Sequence, residues 1–169
     1  MSPPDPELDV AVAAMIAEDA RFVIIGGFAV IANRFVRATE DIDFLVPDDV
    51  DNDRRVLAAL VKLDAVRLRD DAPLVDEHLL GQTHLRTTTR AGVIDLLRGG
   101  LPPLDYDTVE ERAMRAGGNG AAFLVAGLSS IVGFKRLAGR PQDRNDLERL
   151  TEIHGELPVE PIPGLDTDT

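Results

Sequence analysis

Two glycines and two aspartates are the residues of this chain best placed to do chemistry. Ile24-Ile25-Gly26-Gly27-Phe28-Ala29 is followed, thirteen residues further on (Phe28 to Glu40), by Asp41-Ile42-Asp43-Phe44-Leu45-Val46. An apolar strand that ends in two glycines and runs into an Ala/Val/Ile helix points unpaired backbone N–H groups at an open space, where a phosphate commonly binds. Side chains alternate along a strand, so Asp41 and Asp43 project together while Ile42 and Phe44 pack on the other side. Adjacent carboxylates repel unless a cation lies between them, and Mg²⁺ takes carboxylate oxygens together with those of a substrate phosphate. The chemistry this points to is metal-dependent phosphoryl transfer. A two-ion displacement calls for a third carboxylate. Asp95 is the candidate, because it interrupts the apolar run Gly92-Val93-Ile94-Asp95-Leu96-Leu97 and burying its charge there without a partner is costly.

The elements that position these residues follow from periodicity. Leu8, Val12, Met15 and Ile16 recur at helical spacing over residues 7–19 and lead into a strand over 22–25. A helix over 28–35, a connector over 37–40 and a strand over 42–46 come next, stopped by Pro47-Asp48-Asp49. The pattern predicts an amphipathic helix over 51–63, a hairpin of 84–89 and 92–97 turning at Arg90-Ala91, a short helix over 108–115 and a strand over 121–125. Ser129 or Ser130 is expected to cap a helix over 131–137, and Pro141 to open a last helix after Arg140. Residues 156–169, acidic and rich in proline, and residues 1–6 are expected to be flexible.

The chain has 169 residues, 44% of them hydrophobic, which suits one domain over residues 1–155, with a core of about 20–125 and a helical part of about 127–153. There are no cysteines, so disulfides, zinc–thiolate sites and cysteine nucleophiles are excluded. The first residues lack a secretion signal and no apolar run approaches the roughly 18 residues that span a bilayer, so a soluble, cytoplasmic protein with no membrane partner is expected. A net charge of −12 argues against a broad sequence-blind nucleic-acid surface, leaving only local contacts such as a patch formed by Arg86, Arg90, Arg98 and the stretch 135–149. His78, His84 and His154 lack metal-ligand spacing, and the six Phe fall mainly in apolar runs rather than forming a stacking platform.

Gly26-Gly27, Asp41-Ile42-Asp43 and Asp95 on a later strand, in this order, resemble the nucleotidyltransferase superfamily related to DNA polymerase β. The run Phe134-Lys135-Arg136-Leu137-Ala138-Gly139-Arg140-Pro141-Gln142-Asp143-Arg144-Asn145-Asp146-Leu147 resembles the C-terminal motif of AbiEii-type toxin nucleotidyltransferases. The resemblance covers roughly residues 20–150. It implies an α+β fold, a small mixed sheet flanked by helices and followed by C-terminal helices. It also implies transfer of a nucleoside monophosphate from a Mg²⁺-bound nucleoside triphosphate, ATP included, to an acceptor hydroxyl, with release of pyrophosphate. Carried over, Gly26 and Gly27 would cradle phosphates, Asp41, Asp43 and Asp95 would bind a two-ion Mg²⁺ site, and Lys135 would contact the nucleotide. Asp143 and the stronger candidate Asp146 would orient Lys135 or Arg140, or activate the acceptor. Arg37 could meet phosphate and Thr39 could brace the loop. Many members carry Gly-Ser where this chain has Gly26-Gly27. The implied acceptor is tRNA, another RNA or a protein, with a cognate antitoxin as partner. An aminoglycoside acceptor and a catalytically silent nucleotide- or partner-binding module are the alternatives.

Overall fold

Short apolar segments, too brief to be helices, pair into a single mixed sheet that carries the acidic strand at its centre. The computed structural model describes residues 2–79, 81–118 and 121–166. In chain order the elements are α1 (Leu8–Ala17), β1 (Val23–Ile25), α2 (Gly26–Ala32), β2 (Asp41–Val46), α3 (Val50–Lys62), β3 (Val66–Arg67), a 3₁₀ turn (Asp76–His78), β4 (His84–Thr89) and β5 (Gly92–Arg98). They continue with β6 (Gly100–Leu101), β7 (Leu104–Asp105), α4 (Tyr106–Glu111), β8 (Met114–Ala116), β9 (Phe123–Val125), α5 (Leu128–Ala138) and α6 (Pro141–His154). The main sheet runs β3-β4-β5-β2-β1-β9-β8, and β6 with β7 forms a separate ribbon. β2 is parallel to β5 and β1 to β9, whereas the pairs β1–β2, β3–β4, β4–β5 and β8–β9 are antiparallel. The fold is α+β.

Val23, Ile24, Ile42, Phe44, Ile94 and Leu96 form the middle of the core with Ala11, Met15, Val56 and Leu60 from α1 and α3. Phe22 and Phe44 meet edge to face, with centroids 5.2 Å apart, a geometry aromatic rings favour. α3 starts where Asp49 accepts a hydrogen bond from the Asn52 backbone N–H (2.9 Å) and ends with Lys62 in its last turn, both suited to the helix dipole.

Several elements differ from the sequence expectation. The helix expected over 28–35 begins at the glycines themselves and stops at Ala32, because the Asn33 side chain turns back to donate to Ala29 O (2.8 Å) and Ala126 O (3.1 Å). The helix expected over 108–115 is split: Asp105 caps α4 through the Thr108 N–H (2.9 Å), and residues 114–116 instead pair with β9. Its mixed Glu/Arg/Ala pattern reads as helical, but pairing with a neighbouring strand outweighs local propensity. The cap of α5 is Gly127, not Ser129 or Ser130; a β-carbon there would come within 2.6 Å of Arg112 O.

The ends are held against the body. Glu7 N–H donates to Ala91 O (2.8 Å) beside the β4–β5 turn. Arg112 pairs with Glu160 (2.6 Å), Arg136 pairs with Asp166, and Ile162 is 3% exposed. Of the tail over 156–169, expected to be flexible because of its Pro and acid content, the described part holds Ile162 buried and Glu160 and Asp166 paired with Arg112 and Arg136, and 167–169 lie outside the described residues. No helix among the described residues is long and apolar enough to cross a membrane.

Candidate active site

Parallel pairing of β2 with β5 sets Asp43 beside Asp95 and Asp41 beside Val93, so the three carboxylates emerge on one face of the sheet. Ile25, the last residue of β1, lies across from Asp43, which brings the glycines to the same point. Gly26 has φ +66°, and a β-carbon on it would sit 2.1 Å from Asp43 Oδ2. Both its conformation and its contact therefore demand glycine. A β-carbon on Gly27 would meet Thr39 Oγ1 at 2.4 Å. A serine at this position has no room, because the Thr39 hydroxyl, donating to Asp41 O (3.1 Å), fills its place.

The three acids are unequally balanced. Burial, reinforced by the neighbouring Asp95 and Asp41 carboxylates, pushes the Asp43 pKa from 3.8 up to about 7, and Lys135 and Arg140 offset only part of this. Asp95 is also raised, by burial first, with Arg86 opposing. Arg86 bridges the other two acids: its Nε donates to Asp95 Oδ1 (2.7 Å) and its Nη2 to Asp41 Oδ2 (3.1 Å). A guanidinium thus already lies between two of the carboxylates. The three acids share a sheet face, but among the described residues no group of three or more His, Cys, Asp or Glu side chains is close enough to form a ready-made metal cage.

The C-terminal helices bring a second charged group to the same place. Gly139 ends α5 in the left-handed region (φ 61°), and Pro141 opens α6 in its first turn, so the chain folds back and sets Lys135 against the start of α6. Lys135 Nζ lies 3.0 Å from Asp143 Oδ1 and 2.8 Å from Asp146 Oδ2. Arg37 Nη2 donates to Asp146 Oδ2 (3.0 Å). Asp143 accepts from the Arg140 backbone N–H (3.1 Å) and Nε (2.8 Å). Although burial works against it, Asp143 is held below the ordinary carboxylate range by Arg140 and Lys135. Asp146 is completely buried and meets Arg37 and Lys135. Arg140 feels Asp43 and Asp41 electrostatically, which joins the two groups.

Gly26, Gly27, Arg37, Thr39, Asp41, Asp43, Asp95, Lys135, Arg140, Asp143 and Asp146, all singled out in the sequence, therefore lie in one region. Arg86, read from the sequence only as part of a basic patch, belongs to this site as the partner of Asp95 and Asp41. The signal was available: a hairpin turning at Arg90-Ala91 pairs Thr89 with Gly92 and, counting back, Arg86 with Asp95, as observed.

No family model matches the chain, and no curated protein matches it. Solved structures do. The crystal structure of ANT(2″)-Ia in complex with adenylyl-2″-tobramycin superposes with a TM-score of 0.59 at 14% identity, covering 88% of this chain and 87% of that one. The solution structure of ANT(2″)-Ia, an antibiotic-resistance factor, gives a TM-score of 0.60 at 13% identity, covering 88% and 82%. A Helicobacter pylori protein assigned as a nucleotidyltransferase gives 0.47 at 17% identity, covering 85% and 65%. With its mixed sheet, its acids on adjacent parallel strands and its two closing helices, the chain has a nucleotidyltransferase fold.

Proposed function

We propose that the protein is a Mg²⁺-dependent nucleotidyltransferase that moves a nucleoside monophosphate from a nucleoside triphosphate to an acceptor hydroxyl and releases pyrophosphate. The observation that carries this reading is the convergence of Asp41, Asp43 and Asp95 on one sheet face, against a glycine that only the Asp43 carboxylate crowds. The donors are all hard oxygens, Asp43 lacks a cation, and Arg86 is already drawn between its neighbours, so the residues fit Mg²⁺. Asp41, Asp43 and Asp95 would hold the metal, which when bound supplies charge neutralisation for the triphosphate and the leaving group.

The remaining roles belong to the chain. Gly26 and Gly27 let the Asp43 and Thr39 side chains lie against the start of α2, whose backbone N–H groups would meet phosphate oxygens. Lys135 and Arg140 place positive charge over the acids, with Asp143 and Asp146 holding Lys135 in position. The acceptor oxygen forms a bond to the α-phosphorus as the bond from that phosphorus to the β-phosphate oxygen breaks. The hydroxyl proton passes to Asp95, which lies on the same sheet face as the other two acids. Most of the rate gain comes from positioning and charge stabilisation.

In keeping with the toxin-like C-terminal motif, the acceptor proposed first is tRNA, another RNA or a protein. A cognate antitoxin is then a partner, and expression alone slows growth unless Asp41→Ala or Asp43→Ala is introduced. The fold similarity to an enzyme crystallised with adenylyl-2″-tobramycin favours a second reading, an aminoglycoside acceptor, which a net charge of −12 also suits. Thermal shift with each of the four nucleoside triphosphates and Mg²⁺ tests the first step. A metal-dependent rise in Tm that Asp43→Ala abolishes supports the site, and no response to any triphosphate favours a catalytically silent binding module. Tobramycin-dependent pyrophosphate release separates the two acceptor classes.

A further inference from the structure

β3 is only two residues long and pairs with Thr87 and Thr88, which leaves the outer edge of β4 open at its beginning. A cleft of about 520 Å³ occupies that gap, lined among others by Arg67, Arg69, Glu77, His78, His84 and Arg86. Three arginines with one acid in the lining are unexpected in a chain that carries 30 acids and 18 Lys and Arg. Asp70 beside the cleft takes Arg67 (Nε to Oδ1, 2.8 Å), but it reaches Arg69 only at 3.7 Å, and the Arg69 side chain is 79% exposed.

His78 carries a second and independent sign of an anion. Its Nδ1 lies 3.2 Å from the Val75 backbone N–H, and its Nε2 lies 3.2 Å from Arg67 Nη1. Both partners are donors only, and a neutral imidazole has a single acceptor nitrogen. Whichever nitrogen holds the proton, one of these contacts sets donor against donor. An anionic oxygen accepting from both Arg67 and His78 would relieve it. Arg86 is common to both places: it lines the cleft and bridges Asp41 and Asp95.

We propose that this cleft receives the acceptor, and that the acceptor carries a phosphate, which Arg67, Arg69 and His78 hold while its hydroxyl is presented to Asp95. The proposal rests on the nucleotidyltransferase reading. A sugar phosphate and the terminal nucleotide of an RNA share this chemistry, whereas a polycationic aminoglycoside opposes it.

The test is calorimetric titration of the full chain with four probes: ribose 5-phosphate, a short oligoribonucleotide with a free 3′ hydroxyl, ribose and tobramycin. Wild type, Arg69→Glu, Arg67→Gln and, as a control distant in sequence, Arg149→Glu are compared, with Tm confirming that each is folded. The expected result is that a phosphate-bearing probe binds wild type and the control alike, binds Arg69→Glu at least about tenfold more weakly, and weakens with added salt. Preference for the oligoribonucleotide over ribose 5-phosphate assigns the phosphate to RNA, and the reverse assigns it to a small sugar phosphate. Phosphate probes that bind no better than ribose, tighter binding of tobramycin, or an Arg69→Glu variant indistinguishable from wild type would overturn the proposal. Thermal shift with Mg²⁺ and nucleoside triphosphate runs in parallel. If that response persists while the cleft variants change nothing, this inference fails and the nucleotidyltransferase reading stands. If the cleft binds phosphate but no triphosphate shifts Tm, the reading fails and takes the acceptor role with it.

Discussion

The two charged groups that meet at Asp43 are built in opposite ways. In the C-terminal group, Lys135, Arg37 and Arg140 face Asp143 and Asp146, every acid has a cation within hydrogen-bonding distance, and both acids are buried. On the sheet, three carboxylates share one guanidinium, and Asp43 is left with its pKa near 7. The C-terminal group is neutralised pair by pair, although Arg37 Nε and Asp146 Oδ1 face each other at 3.0 Å without making a hydrogen bond, and in the proposed reaction it serves as scaffold. A buried carboxylate group short of positive charge is unfavourable by itself and becomes favourable when a cationic ligand arrives. The difference teaches which group does the chemistry and which one aims it.

Removing the central acid of the open group should produce the largest effect. Asp43→Asn is expected to lower nucleotidyl transfer by about 10⁴-fold, as for other residues that act as one catalytic unit, and to abolish the Mg²⁺-dependent thermal shift. It should also leave the metal-free protein at least as stable as wild type, since a repulsion is removed. A large loss of apo stability would mean that Asp43 is a structural partner after all and would erase the contrast.

Breaking the closed group should do the reverse. Asp146→Ala leaves Lys135 and Arg37 without their shared buried acid, which is expected to cost about 3–5 kcal/mol of folding stability, read from urea denaturation of the metal-free chain. Asp146→Asn, which keeps an acceptor oxygen, should cost less. A cost below about 1 kcal/mol would show that the network is not closed.

Much of this contrast could be read in the residues themselves, and what could not has identifiable causes. Gly26, Asp41, Asp43 and Asp95 were legible because each breaks a local rule: glycines after a strand, acids on alternate positions, an acid inside an apolar run. Asp146 was legible only through resemblance, since one acid on a helix carries no sign of its burial. Arg86 was legible only as part of a basic patch, and the hairpin register is what sets it across from Asp95. β8 and the docked tail were missed for a related reason. Their placement depends on contacts with β9, Arg112 and Arg136 that are distant in sequence, and local pattern says nothing of them.

The pH dependence of the metal-free protein sharpens the comparison at a smaller scale. The Asp43 pKa is raised on folding, so the folded chain holds that proton more tightly than the unfolded one. The stability this contributes is fully present below about pH 4 and is lost as pH rises through about 7. The expected loss is up to about 4 kcal/mol, measured by denaturation between pH 4 and 8, and Mg²⁺ should reduce it. Asp143 shifts in the opposite direction, so the stability it contributes is present above the ordinary carboxylate range and is lost on acidification. An Asp43→Asn chain should therefore keep the acid-side loss and show a smaller neutral-side one, since Asp95 is also raised by burial.

The smallest expected effect concerns Thr39. Gly27 does not adopt a positive φ, so a side chain there meets a problem of space and not of backbone strain. The obstacle is Thr39 Oγ1, 2.4 Å from where the β-carbon would lie. Gly27→Ser alone is then expected to cost about 1–3 kcal/mol through overpacking. In a chain that also carries Thr39→Ala, the same serine loses its nearest obstacle, although the β-carbon of residue 39, 2.8 Å away, must still give, and it supplies the hydroxyl that Thr39 gave up. The two changes should couple favourably by about 1 kcal/mol or more in a double-mutant cycle, and the double variant should bind nucleoside triphosphate better than Thr39→Ala alone. Additive costs, or a double variant no better than Thr39→Ala at binding triphosphate, would show that this hydroxyl only braces the loop and that the open group relies on backbone donors and cations alone.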